Sequence, residues 1–160
     1  AELDNEPSIA SPWLYDFVGA PWKTQEVVRA AMKEIWTNAP NGISGNDDLG
    51  EMSSWYVWAA LGMYPLYPGG GELVLGSPMF EEAVIDRQGG RVAIHAKGAA
   101  MDTPYISSMS VNGAAYGRPW LPASFAAKGG TLDFTMAKVP QKKWGTAPAD
   151  APPSFGPDTP

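Results

Sequence analysis

Two stretches of this 160-residue chain carry side chains whose types and spacing could do chemistry. The first is Gly45-Asn46-Asp47-Asp48-Leu49-Gly50-Glu51, followed by Met52-Ser53-Ser54-Trp55-Tyr56. Two adjacent carboxylates stand in a glycine-flanked turn just ahead of a helical run. Asp48 is a good N-cap residue, and Glu51 three places on completes the pattern of a capping box. The same geometry also serves chemistry. A helix N-terminus stabilises negative charge, so a carboxylate there stays ionised at neutral pH. An ionised carboxylate at the lip of a cleft is what a general base requires. The flanking glycines let backbone, substrate and water approach closely. Spacing alone leaves both roles open.

The second stretch is Asp4-Asn5-Glu6-Pro7-Ser8. Pro7 is expected to push Glu6 into an extended conformation. Asn5, Glu6 and the loop carbonyls offer oxygen ligands suited to a hard cation such as calcium. A plain polar loop ahead of a helix has the same composition. The chain has no cysteine, so thiolate metal sites, disulfides and cysteine nucleophiles are excluded. Its one histidine, His95, falls on the polar face of a predicted strand and reads as a surface residue.

These loops need elements to hold them. Ser11-Pro12 is a helix start signal, with Ser11 as N-cap, for a short helix over 13–18 that Gly19 ends. Thr24 can cap a second helix, in which Val27, Val28, Ala31, Met32, Ile35 and Trp36 recur at helical spacing. Pro40-Asn41-Gly42 breaks the chain, and a third helix is expected over 49–61 with Gly62 as C-cap. From about Glu72 the period changes to two. Val92 and Ile94 share one face, and Thr131-Leu132-Asp133-Phe134-Thr135-Met136 alternates polar and apolar. Gly89-Gly90 and Asn112-Gly113 are hairpin signals. The fold class expected is therefore α+β, with a helical segment over 1–68, an antiparallel β region over 69–145 and a loose tail over 146–160. Three helices do not close a domain by themselves, so the helical part is expected to belong to a larger helical assembly.

Composition narrows the partners. Hydrophobic residues make up 44% of the chain, an ordinary globular value, and the net charge is −6 with no long run of either sign. Nucleic acid and anionic membrane both call for a basic patch, so neither is expected as a partner. No apolar run reaches the length of a membrane span. The acidic opening, Ala1-Glu2-Leu3-Asp4, is not that of a signal peptide, and a mature protein, a fragment and a cytosolic protein would all begin this way. Seven tryptophans suit a sugar-binding surface, where rings pack on apolar sugar faces, although composition alone favours a core.

Taken in order, several segments resemble glycoside hydrolase family 92. They are Asn5-Glu6-Pro7-Ser8, Pro12-Trp13-Leu14-Tyr15, Pro21-Trp22-Lys23-Thr24-Gln25-Glu26, Gly45-Asn46-Asp47-Asp48-x-Gly50-x-Met52-Ser53, and Ala60-Leu61-Gly62-Met63-Tyr64-Pro65. The likeness continues through Gly76-Ser77-Pro78-Met79-Phe80, Val111-Asn112-Gly113, Gly129-Gly130-Thr131-Leu132 and Trp144-Gly145. Family members are calcium-dependent exo-α-mannosidases, mostly bacterial and several times longer than this chain. The resemblance implies that the chain is a C-terminal part: the closing helices of an (α/α)6 toroid and the β structure after them, incomplete without an upstream segment.

The resemblance also implies roles. The family inverts configuration, with an acid protonating the leaving oxygen and a base activating water on the opposite face. The base maps onto Asp48, with Asp47 beside it. Glu6 and Asn46 map to sugar binding, and Asn5 and Glu6 to the Ca2+ site, where calcium contacts the terminal mannose and helps distort its ring. The general acid is expected upstream, on a segment or chain of the same enzyme. The expected substrate is a mannose-containing glycan, cut at α-1,2 bonds, and the expected location is secreted or periplasmic. Many relatives carry histidine just after the Asn-Glu-Pro-Ser segment, where this chain has Ile9-Ala10, a departure that bears on linkage preference. The competing expectation is a non-catalytic carbohydrate-binding or structural module with Trp120 in its sugar platform.

Overall fold

The structure is a computed structural model, and it describes residues 3–4, 6–67 and 69–154. Helices come first. A single turn, α1 (Glu6–Ile9), leads into a 3-10 helix (Ser11–Val18), then α2 (Pro21–Glu34) and α3 (Glu51–Leu61). Glu6 opens α1 and is not extended: the missing N–H of Pro7 falls among donors that lack intrahelical partners anyway. The segment after Ser11 is 3-10 in form, and Ser11 lies inside it, its hydroxyl donating back to the Ser8 carbonyl. Gly19 ends it in the left-handed conformation, as expected. α2 starts at Pro21, whose fixed φ suits a first helical position, so Thr24 is buried within the helix and is not its cap. Val28, Ala31 and Met32 of its stripe are buried. α3 begins two residues later than expected and ends at Gly62.

The strands form two sheets. β1 (Met63–Tyr64), β2 (Leu73–Leu75) and β7 (Trp120–Leu121) make a small antiparallel sheet in the order β1-β2-β7. β3 (Glu82–Ile85), β4 (Val92–Lys97), β5 (Tyr105–Val111), β6 (Ala114–Ala115) and β8 (Gly130–Ala137) make a five-stranded sheet in the order β3-β4-β8-β5-β6. Both hairpin signals hold. Gly89-Gly90 lies between antiparallel β3 and β4, and Asn112-Gly113 turns β5 into β6 with both residues left-handed. The wholly antiparallel region expected is corrected, because β8 runs parallel to β4, in register from Val92↔Gly130 to Lys97↔Thr135. A long crossover containing β5, β6, β7 and α4 (Ala123–Lys128) makes that pairing possible.

Two hydrophobic clusters meet at β2. Leu73 and Leu75 point into the cluster built on the large sheet, with Ile94, Ile106, Leu121 and Leu132. Val74, on the opposite face, packs with Trp13, Met32, Met52 and Trp55 of the helices. All three β2 residues are buried, because the strand has a core on each side. Polar ties cross the same boundary. The buried Gln25 accepts the Ile106 N–H, and the buried Arg29 donates to the carbonyls of Ser77, Pro78 and Ala100. The described part of the expected loose tail is held down: Trp120 Nε1 donates to the Asp150 carbonyl at 3.1 Å, and Pro152 is buried. Among the described residues no helix is long and apolar enough to cross a membrane.

Candidate active site

The turn before α3 is built on left-handed backbone. Asp48, Leu49 and Gly50 have φ of 44°, 61° and 96° in succession. Gly50 takes this conformation freely and Asp48 tolerates it, whereas Leu49 does so at a cost and with its side chain fully exposed. Such conformations persist where the surroundings impose them, and they gather at functional sites.

The consequence falls on the two aspartates. Gly50 is the N-cap of α3, and Asp47, not Asp48, is the aspartate whose side chain ties down the first turn. Its Oδ1 accepts the Ser53 backbone N–H at 2.9 Å and the Ser53 hydroxyl at 2.8 Å. Its carbonyl accepts the N–H groups of Gly50 and Met52. The capping box expected between Asp48 and Glu51 does not form, because the left-handed turn takes Asp48 out of the capping position. The Asp48 side chain is exposed and free of the helix's structural work. Asn46 is exposed beside it.

The Asp4–Ser8 stretch comes to the same place. Gly45 stands so close to it that a β-carbon would lie 2.5 Å from the Asp4 carbonyl oxygen. Carboxylate oxygens of Glu6, Asp48 and Glu51 all lie within 4.8 Å of one another. Glu6 and Glu51 each open a helix, so both sit where backbone N–H groups point outward. Asn5 lies outside the described residues.

Glu51 is the member that sequence reasoning assigned to capping alone. Its spacing from Asp48 fits a capping box and a pair of converging carboxylates equally well, and only the backbone of Asp48 separates the two. Partial burial raises the Glu51 pKa, and the nearby charges of Glu6 and Asp48 raise it further. Burial also raises the pKa of Tyr64, with the charge of Glu51 adding to it. Three acidic oxygens at this spacing, with no cysteine or histidine among them, form an all-oxygen donor set that fits a hard cation such as calcium.

Other candidates fall away from this cluster. His95 pairs with Asp133 at 3.0 Å on the exposed face of the large sheet, directly across the β4–β8 register, as a surface residue would. The Arg118 guanidinium stands 5.7 Å from the centre of the Trp120 ring, and the indole N–H donates to the Asp150 carbonyl. A depression of about 430 Å³ is lined by Trp36, Thr37, Asn38, Pro40, Ile43 and Tyr56 among others, and its lining carries no carboxylate.

Comparison with known proteins identifies the family. Residues 1–138 match the glycosyl hydrolase family 92 catalytic domain. An uncharacterized secreted glycosidase of Arthroderma benhamiae is 31% identical over 158 residues, 96% of this chain and 20% of that protein. A family 92 α-mannosidase of Bacteroides thetaiotaomicron, solved in complex with mannoimidazole, superposes with a TM-score of 0.91 at 31% identity, over 95% of this chain and 20% of its own. A family 92 inverting mannosidase of Bacteroides thetaiotaomicron VPI-5482 gives 0.87 at 37% identity, over 95% and 21%. The chain thus spans about a fifth of the length of these relatives. With residues 1–138 of its 160 matched to the family's catalytic domain, the chain belongs to glycosyl hydrolase family 92.

Proposed function

We propose that this chain is the C-terminal part of a secreted, inverting exo-α-mannosidase, and that it supplies the general base and part of a calcium and sugar site. The observation that carries this is the meeting of Glu6, Asp48 and Glu51, brought from two distant stretches to within 4.8 Å. The family relation and the inverting mannosidase among the similar structures support it.

In this scheme Asp48 takes a proton from a water as that water attacks the anomeric carbon, on the face opposite the leaving oxygen. A carboxylic acid on the part of the enzyme outside this chain gives its proton to the leaving oxygen. Asp47 holds the turn through Ser53 and so places its neighbour. Glu6, Glu51 and Asn5 would hold the calcium, with Glu6 and Asn46 also facing the sugar. Held there, calcium would supply a hard Lewis acid for hydroxyls of the terminal mannose and would favour a distorted ring. The helices belong to a toroid completed by the rest of the protein. The substrate is a mannose-containing glycan, with α-1,2 bonds the ones expected to be cut.

Asp48→Asn in the full-length enzyme tests the base. Asp48 does not cap α3, so the melting temperature should hardly move. Turnover of an activated mannoside should fall roughly 100- to 10,000-fold. Turnover within a few-fold of the unaltered enzyme would remove Asp48 from the role.

A further inference from the structure

We propose that Trp55 is a positioning residue that locks the Glu6 turn against the turn carrying Asp47 and Asp48; this rests on the roles given above to Glu6 and Asp48. Trp55 lies one helical turn beyond Glu51 on α3 and is 1% exposed. Its Nε1–H donates to the carbonyl of Ile9 at 2.9 Å. Ile9 is the last residue of α1, and Glu6 is the first.

A one-turn helix has little means of holding its own shape, since nucleation is unfavourable and its last carbonyls lack intrahelical donors. Side chains from outside supply them here. Ser11 donates to Ser8, and Trp55 donates to Ile9. The second of these bonds is a strut from the helix that begins with Glu51 to the turn that begins with Glu6.

The strut is stiff because its ring is fixed. Trp55 stacks face to face on Trp36, with centroids 4.8 Å apart and planes 6° apart. Trp13 meets it edge-on at 6.1 Å and itself stacks on Tyr64 at 5.1 Å. A donor whose rotamer is locked by packing passes the position of its own helix to the group it binds. The separation of Glu6 from Asp48 and Glu51 then depends on this bond together with the contact of Gly45 on Asp4.

Trp36 supplies the control. It belongs to the same stack, but its Nε1 has no hydrogen-bond partner among the described residues. Phenylalanine at either position removes similar ring area, and only at position 55 does it also remove the strut.

The experiment uses the full-length enzyme, an activated mannoside and a calcium titration. Trp55→Phe should raise both KM and the calcium concentration for half activity about three- to tenfold, the span of one net hydrogen bond. Its kcat at saturation should stay within about twofold, because the base is untouched. Trp36→Phe should move none of these by more than about twofold. Equal shifts in the two variants would mean that Trp55 only packs, and would overturn the proposal. Should Trp55→Phe fail to fold, benzothienylalanine at position 55 keeps the indole shape and lacks the N–H. It should reproduce the shift at an unchanged melting temperature, and an unshifted KM and calcium midpoint would again overturn the proposal. Asp48→Asn is measured alongside. If it leaves kcat intact, or if the unaltered enzyme ignores calcium, the functional assignment falls and takes Trp55 with it. If Asp48→Asn abolishes turnover while the tryptophan variants coincide, only the role of Trp55 falls.

Discussion

Glu6, Asp48 and Glu51 hold like charge at close range, and the cost shows at Glu51. Partial burial, then Glu6, then Asp48 raise its pKa from the ordinary value. The sign follows from linkage. A carboxyl whose folded pKa is raised loses stability as pH climbs through that pKa and regains it as pH falls back. Glu51→Gln removes the charge and keeps the size. In the presence of a chelator it should melt higher than the unaltered protein at neutral pH, and that gain should fade as the pH drops toward about 4, where free glutamate protonates. Because the same charge would hold calcium, the rise in melting temperature on adding calcium should shrink. Scanning calorimetry with and without calcium measures both; an unchanged calcium response would take Glu51 out of the site. Residue types and spacing made the acidic turn legible in the sequence, along with its partner around Glu6. The division of labour within the turn was not legible. Whether Asp47 or Asp48 ties down the first turn of α3 is decided by three successive left-handed residues, and Leu49 gives no sign that it will be one of them.

Elements bring the two loops together, and Gly45 is where they touch. Its φ is +62°, and a β-carbon there would stand 2.5 Å from the Asp4 carbonyl oxygen and 2.8 Å from the Asp4 β-carbon. Most of what it meets is backbone, which cannot swing aside. Gly45→Ala should therefore push the Glu6 side away from the Asp48 side. A shift of about 1 Å at a reacting centre costs on the order of 100-fold in rate. We expect a loss of that size in the full-length enzyme, with the calcium midpoint raised; steady-state assays that find near-normal activity would show that the contact is not needed. Strand identities were readable because Leu132, Phe134 and Met136 alternate with polar neighbours, and all three are buried. The direction of β8 relative to β4 was not readable. Alternation says which face is buried, and it says nothing about which strand lies alongside or which way that strand runs. Thr24 misled in a similar way: its type suits a cap, but Pro21 starts the helix three residues earlier.

At the scale of the whole molecule, the helices offer more apolar surface than this chain covers. α3 reads Trp55-Tyr56-Val57-Trp58-Ala59-Ala60-Leu61 and is apolar nearly all round, a pattern that suits a helix enclosed on every side. Val57 is more than half exposed, as is Val18, and Leu14 on the same 3-10 helix as Val18 is 50% exposed. Relatives are about five times longer, and in the scheme proposed here the acid comes from the rest of the enzyme. The chain purified alone should thus give no turnover of an activated mannoside or a mannobiose, and robust hydrolysis with inversion by the chain alone would refute that scheme. The strand order carries a separate consequence, for how the polypeptide is made. β8 is the last described strand to leave the ribosome, yet it occupies the middle of the large sheet, between β4 and β5. Until residue 137 has emerged, the β3–β4 and β5–β6 hairpins must wait as separate halves, each with a bare edge where the central strand belongs. Nascent chains stalled short of that point would expose two unpaired edges at once, the kind of surface on which partly made chains aggregate.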